Sequence, residues 1–298
     1  MSNEVSRLAS LGLAVNERDE PSSSSATFDD GGHYRIEIPS VEGSEAFAAV
    51  VDEANRRKIR VHRVSQGSGI MLLTNDEIRD MVALGAERSI EVCLFTGPRA
   101  AWDIGAQSRA SAGSSVAAAA RGGSQLVFAL RDVERACTLG IRSVLLGDVG
   151  VIWAVARLRA AGEFPRDLII KSSVALPAAN PATAHVLEEI GVDSLNMPVD
   201  LTIGQISSIR SAVAVPLDCY IESPDDFGGC VRYHEIPAIV DVAAPVYLKF
   251  AVRNCAPLYP AGEHLRGVVL SSSRERVRRA AIGLELLAAA GKSFKGSP

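Results

Sequence analysis

Two short runs toward the carboxyl end of the chain alternate reactive and apolar side chains with a period of two. In the first, Asp218, Tyr220 and Glu222 are interleaved with Leu217, Cys219 and Ile221; in the second, Tyr247, Lys249 and Arg253 are interleaved with Val246, Leu248, Phe250 and Val252. Successive side chains of a β-strand point to opposite faces, so each run offers one polar and one apolar face. A carboxylate, a phenol and an amine on one face are the groups of acid–base and imine chemistry. The lysine is the informative choice. Of the 31 basic residues only Lys58, Lys171, Lys249, Lys292 and Lys295 are lysines, yet Lys171 and Lys249 both fall inside strand-like runs. An amine can form an imine and a guanidinium cannot.

The elements that must position these groups alternate regularly. Strand-like runs at 34–40, 59–65, 90–96, 143–148, 168–174, 194–199, 216–222 and 246–252 are separated by helical stretches at 44–57, 74–86, 149–161, 180–190, 203–212 and 233–242. Thr74 with Glu77 forms a capping-box pattern, and Asn180 followed by Pro181 marks a helix start. Eight strand–helix units predict an α/β fold with a parallel sheet closed into a single (β/α)8 barrel of the TIM type over 34–298. An open doubly wound sheet is the rival. Residues 1–33, with Pro21, a serine run and Gly31-Gly32, are expected to be a flexible segment. The Ala/Gly/Ser-rich connection 97–141 is expected to hold one or two helices over the barrel mouth, and 274–290 an outer helix.

Parity then sorts the strands. Glu37, Glu91, Cys93, Lys171, Ser194, Asn196, Asp218, Tyr220, Glu222, Tyr247, Lys249 and Arg253 fall inward, and the second strand offers either His62 or Arg63. Barrel interiors normally hold bulky branched side chains, and buried charges are costly unless paired or used. The set is either an ion-paired core, with Lys249 on Glu222 or Asp218 and Lys171 beside Asn196 and an acid, or the floor of a site. Candidate catalytic residues are Glu222, Lys249, Asp218, Lys171 and His264. Candidate substrate-binding residues are Arg253, Asn254, Tyr220, Tyr259, Glu37 and His62. Asp225 and Asp226 are candidate oxygen ligands for a divalent cation, and Gln66-Gly67-Ser68-Gly69 is a turn whose amides could cradle an anion.

A net charge of −4 and a pI near 5.8 give no basic field for nucleic acid or an anionic membrane. No apolar run reaches the ~18 residues of a membrane span, and the opening MSNEVSRLAS lacks a basic region followed by an apolar stretch, so a secretory leader is not expected. The expected setting is a reducing cytoplasm, with a small acidic substrate as partner and a homo-oligomer or partner subunit as the wider assembly. Five cysteines without a C-x-x-C pair do not predict a zinc or iron–sulfur site, although Cys93, Cys219, Cys230 and Cys255 fall in neighbouring units. Cys137 belongs to a helix core.

The stretch 216–265, PLDCYIESPDDFGGCVRYHEIPAIVDVAAPVYLKFAVRNCAPLYPAGEHL, together with SLNMPVDLTIGQISSIRSAV before it, resembles the U32-type peptidases of bacteria. The resemblance implies a TIM-type barrel. It also implies a group divided between proteins taken to be proteases and others assigned a four-cysteine iron–sulfur cluster and hydroxylation chemistry. No Ser-His-Asp, Cys-His or H-E-x-x-H constellation accompanies it. Three functions follow as expectations. The first is a hydrolase of a small peptide or amide, with Glu222 or Asp226 as base or metal ligand and Arg253 on a carboxylate. The second is a lyase or aldolase with Lys249 or Lys171 as imine-forming amine. The third is a non-catalytic barrel in a larger assembly.

Overall fold

The computed structural model describes residues 3–13, 21–97, 118–176 and 178–298. Eight strands form where the periodicity places them, each shorter than its run: β1 (Tyr34–Pro39), β2 (Arg63–Ser65), β3 (Glu91–Phe95), β4 (Ser143–Leu146), β5 (Ile169–Ser172), β6 (Leu195–Asn196), β7 (Leu217–Glu222) and β8 (Val246–Phe250). All pairings are parallel, in the order β5-β4-β3-β2-β1-β8-β7-β6. A bridge between Lys171 and Ser194, with Ser172 N–H donating to Ser194 O at 3.0 Å, joins β5 to β6 and closes the ring. The fold is a single (β/α)8 TIM barrel.

The α-helices of the described residues are α1 (Asn3–Ser10), α2 (Ser44–Arg57), α3 (Asn75–Arg88), α4 (Gly122–Thr138), α5 (Val149–Ala161), α6 (Pro181–Glu189), α7 (Ile203–Ala212), α8 (Ile236–Ala243) and α9 (Arg266–Ala289). The capping box at Thr74 and Glu77 is formed, and the Asn180 side chain caps α6. Part of the connection at 97–141 is α4; residues 98–117, where a cover for the mouth was expected, lie outside the described residues. The outer helix α9 begins earlier than its periodicity suggested, at Arg266. No described helix is long and apolar enough to cross a membrane.

The apolar strand faces meet the helices as parity requires. Ile36, Val64, Leu94, Leu217, Ile221, Leu248 and Phe250 belong to one core between sheet and helices, each contributing about 1.5–3 kcal/mol by burial. The fit of α9 is close: a Cβ on Gly283 would lie 2.6 Å from Phe250 Cε1. Residues 21–33 are more firmly held than their composition suggested. Ser24 N–H donates to Asp241 O at 2.7 Å, and buried Phe28 meets Tyr247 edge-on at 5.3 Å and stacks under Arg35. One aromatic in a polar segment suffices to plug the amino-terminal end of the barrel.

Candidate active site

The inward residues form tiers. Nearest the amino-terminal end lies the tier of Glu91 and Tyr247: Tyr247 OH contacts Glu91 Oε2 at 3.3 Å, Arg35 donates to Tyr247 at 3.1 Å, and the Arg63 guanidinium stacks 3.6 Å from the Tyr247 ring centroid. Burial pushes the Tyr247 phenol up to about 12. Above it, Glu37 gathers three cations. Lys171 Nζ donates to its Oε2, Arg63 Nη1 lies 3.3 Å from the same oxygen, and Lys249 Nζ lies 3.6 Å from Oε1. Ser65 Oγ donates to Oε1 at 2.7 Å. Asp218 takes Arg63 Nη1 at 3.0 Å and Ser194 Oγ at 3.0 Å, with Lys171 at 3.4 Å. Three acids (Glu37, Asp218, Glu91) thus face three cations (Arg63, Lys171, Lys249), all largely buried. Burial opposes ionisation of Glu37, but Lys171, Lys249 and Arg63 outweigh it and hold the carboxyl well below the usual range.

The uppermost tier opens into a cavity of about 210 Å³ at the carboxyl ends of the strands, room for about seven waters at ~30 Å³ each. Pro39, Phe95 and Leu145 supply apolar wall; Asn196, Tyr220, Lys249 and Tyr259 supply the polar groups. Here the two strand lysines part company. Lys171 is fully buried beneath the cavity, locked by Glu37 and Asp218. Lys249 lines the cavity, its Nζ 4.1 Å above the Tyr220 ring centroid and too far from Glu37 for a hydrogen bond. Asn196 Oδ1 is buried with no hydrogen-bond partner, which is costly unless a ligand supplies a donor. Burial raises the Tyr220 phenol, so it stays protonated and able to donate. Tyr259 leans over the opening, its hydroxyl on Ser40 Oγ, its ring where Gly67 has no side chain: a Cβ there would lie 2.3 Å from Tyr259 Cε1.

Lys249, Tyr220, Tyr259, Glu37, Asp218 and Lys171 therefore stand in or directly under this cavity. The other expected site residues do not. β7 carries an irregularity between Tyr220 and Glu222, which turns Glu222 to the helix side. There it accepts from Tyr233 OH at 2.6 Å and from Arg253 N–H at 2.9 Å, with Arg279 at 3.6 Å. β8 ends at Phe250, so parity no longer governs Arg253, which is exposed and 3.6 Å from Asp225. Asn254 is also exposed, in the left-handed region at φ 57°, and its N–H donates to Asp225 Oδ2 at 2.6 Å. Asp225 is thereby occupied in tying two loops together, and Asp226 is exposed. Among the described residues no three His, Cys, Asp or Glu side chains converge as metal ligands. His264 is exposed in the short turn before α9.

His62 is displaced for a different reason. The β1–β2 register pairs Glu37 with Arg63, so Arg63 enters the barrel and His62 stays at its amino-terminal end. Its Nδ1 accepts from Ile36 N–H at 2.9 Å, and its Nε2 lies 3.1 Å from Ser297 O. Burial lowers its pKa to about 4. The folded state therefore favours the neutral ring, and the unfolded chain binds the proton first as pH falls. Stability is expected to fall between pH 6.5 and 4 by at most about 3 kcal/mol, at about 1.4 kcal/mol per pKa unit. Melting temperatures of the parent and of His62→Gln across that range check it: the slope must flatten in the variant.

The glycine-rich turn binds an anion, but one of the protein's own: the Glu42 carboxylate takes Gly67 N–H at 2.7 Å and Ser68 N–H at 3.1 Å. Sequence reasoning passed over that acid and Arg276 of α9, and it placed Asn196 inward only as a neighbour of Lys171, not as a binding group. Arg276 was legible, since it shares the buried stripe of Val269, Ser273, Val277 and Ala280 at helical spacing.

No protein-family profile matches the chain, and no curated protein sequence matches it. Solved structures do match. The YdjI aldolase from Escherichia coli K12 is 15% identical, with 87% of this chain and 93% of that one covered and a TM-score of 0.52. A candidate fructose-1,6-biphosphate aldolase from Coccidioides immitis is 12% identical over the same shares, at 0.53. The U32 peptidase Mk0906 is 17% identical over 67% of this chain and 73% of that one, at 0.43. At such identities the likeness is of fold. The barrel implied by the U32 resemblance is present; membership of that group does not follow from it.

Proposed function

We propose that the protein is an imine-forming lyase of the aldolase kind, acting on a small carbonyl compound at the carboxyl-end mouth, with Lys249 as the reacting amine. The observation that carries this is the unequal placement of the two strand lysines: Lys171 is sealed by two acids, while Lys249 faces the cavity without a hydrogen bond. In this reading the Lys249 ammonium gives its proton to water in the cavity, the amine adds to the substrate carbonyl carbon, and water leaves. The resulting iminium withdraws the electron pair of the substrate carbon–carbon bond as that bond breaks, while the hydroxyl proton of the departing fragment passes to water. Tyr220, kept protonated by burial, donates to the carbonyl oxygen as it departs. Asn196 receives a donor of the substrate at its unpartnered oxygen.

The hydrolytic reading lacks equivalent support, because Glu222, Asp226 and His264 all lie off the cavity. Borohydride reduction in the presence of pyruvate, 2-oxobutanoate or glycolaldehyde tests the proposal. A stable adduct is expected on the peptide containing Lys249. Labelling confined to Lys58, Lys292 and Lys295, or no labelling, would remove it.

A further inference from the structure

A second, smaller cavity of about 100 Å³ adjoins the first and shares Ser40 and Tyr259 with it as a wall. Arg276, 2% exposed, lines this chamber. Its one hydrogen bond runs from Nη1 to Ser40 O at 3.0 Å, and its Nε has no partner. None of the ion pairs among the described residues includes it. Glu42, an acid whose charge it feels, is spent on the amides of Gly67 and Ser68. A buried cation without a direct ion pair among the described residues is costly. The wall itself is strained: Ser40 is held at φ 58°, in the left-handed region that favours glycine, with its hydroxyl on Tyr259 and its carbonyl on Arg276. A folded protein that keeps an unpaired guanidinium and a strained serine side by side at an active-site mouth has a use for both.

We infer that the Arg276 chamber is an anion subsite that receives a carboxylate group, the far end of the ligand whose other end lies over Lys249. The assignment of that ligand as substrate rests on the imine reading of Lys249; the binding of a carboxylate does not. The Nε side of the planar guanidinium, left by the Ser40 bond, matches the two oxygens of a carboxylate. The chamber holds about three waters' volume. Asp225 and Asp226 on its rim disfavour a phosphate dianion relative to a singly charged group. The Ser40–Tyr259 hydrogen bond is the partition that such a ligand crosses, with Tyr259 moving to admit it.

Succinate and its uncharged analogue succinamide, titrated calorimetrically into the full chain at pH 7, test the inference. Succinate is expected to bind and succinamide not, with Arg276→Lys weakening succinate at least tenfold and Arg276→Gln abolishing it. Cys255 lines the same chamber and Cys230 does not, so the unmutated protein supplies a second reading. Saturating succinate is expected to slow alkylation of Cys255 by N-ethylmaleimide at least fivefold and leave Cys230 unchanged. Equal succinate affinity in Arg276→Gln, unprotected Cys255, or tighter binding of inorganic phosphate than of succinate each overturns the inference. Succinate binding without a borohydride adduct would sink the lysine chemistry alone, and an adduct on Lys249 without succinate binding would sink the subsite alone.

Discussion

Glu37→Gln is expected to destabilise the protein by about 3–5 kcal/mol at pH 7, the usual consequence of removing one partner from a buried ion pair. The side chain is fully buried, and Lys171, Arg63 and Lys249 all depend on it. Glutamine keeps the volume and an acceptor but leaves three cations facing two acids. The neighbours hold the folded carboxyl below its unfolded value near 4.3, so the charge stabilises the fold above that pH. The contribution is lost as pH falls further, through the lower folded value. Urea unfolding of parent and variant should therefore differ most at neutral pH and converge on acidification. Pairing the change with Lys171→Met removes the cation most tightly bound to Glu37 and should recover a sizeable part of the loss. A Glu37→Gln protein as stable as its parent would show that the interior is not balanced as these contacts indicate.

The second large effect belongs to Lys249. Lys249→Met and Lys249→Arg are both expected to abolish the borohydride adduct and lower turnover at least about a thousandfold, since neither side chain can form the imine. Arginine is the more telling variant because it retains the charge near Glu37. Lys171→Met is the control. It removes a buried cation and should lower stability, yet the adduct on Lys249 should persist. If Lys249→Arg turned over within tenfold of the parent, the amine would be an electrostatic element and the lyase reading would fail.

How far the site could be read from sequence depends on how long strand periodicity lasts. Asp218, Tyr220, Tyr247 and Lys249 sit where the apolar parity of Leu217, Leu248 and Phe250 places them, because a face packed on helices tolerates no slip. Arg253 follows the same arithmetic on paper, but the strand stops at Phe250 and the arithmetic stops with it. For β2 both parities were plausible, and only the pairing of Glu37 with Arg63 decides between His62 and Arg63. The loops were least legible. Asp225 bonds a backbone amide contributed by Asn254, and Glu42 bonds two from Gly67 and Ser68. No spacing rule announces a side chain that spends itself on distant main chain.

The irregularity in β7 decides the role of Glu222 by counting alone. From Tyr220 to Glu222 β7 advances two residues while β8 advances one, so the carboxylate stands opposite outward-facing Phe250 and reaches Tyr233 and Arg279 instead of lying over Lys249. Inserting one residue between Ile221 and Glu222 would set the acid opposite Ala251 and aim a carboxylate into the cavity, beside an amine and a phenol, where a crystal structure of the variant would reveal it. Such a strand is a length-coded selector: the gain of a single codon moves an acid from holding a loop to taking part in chemistry, with every reactive residue type unchanged.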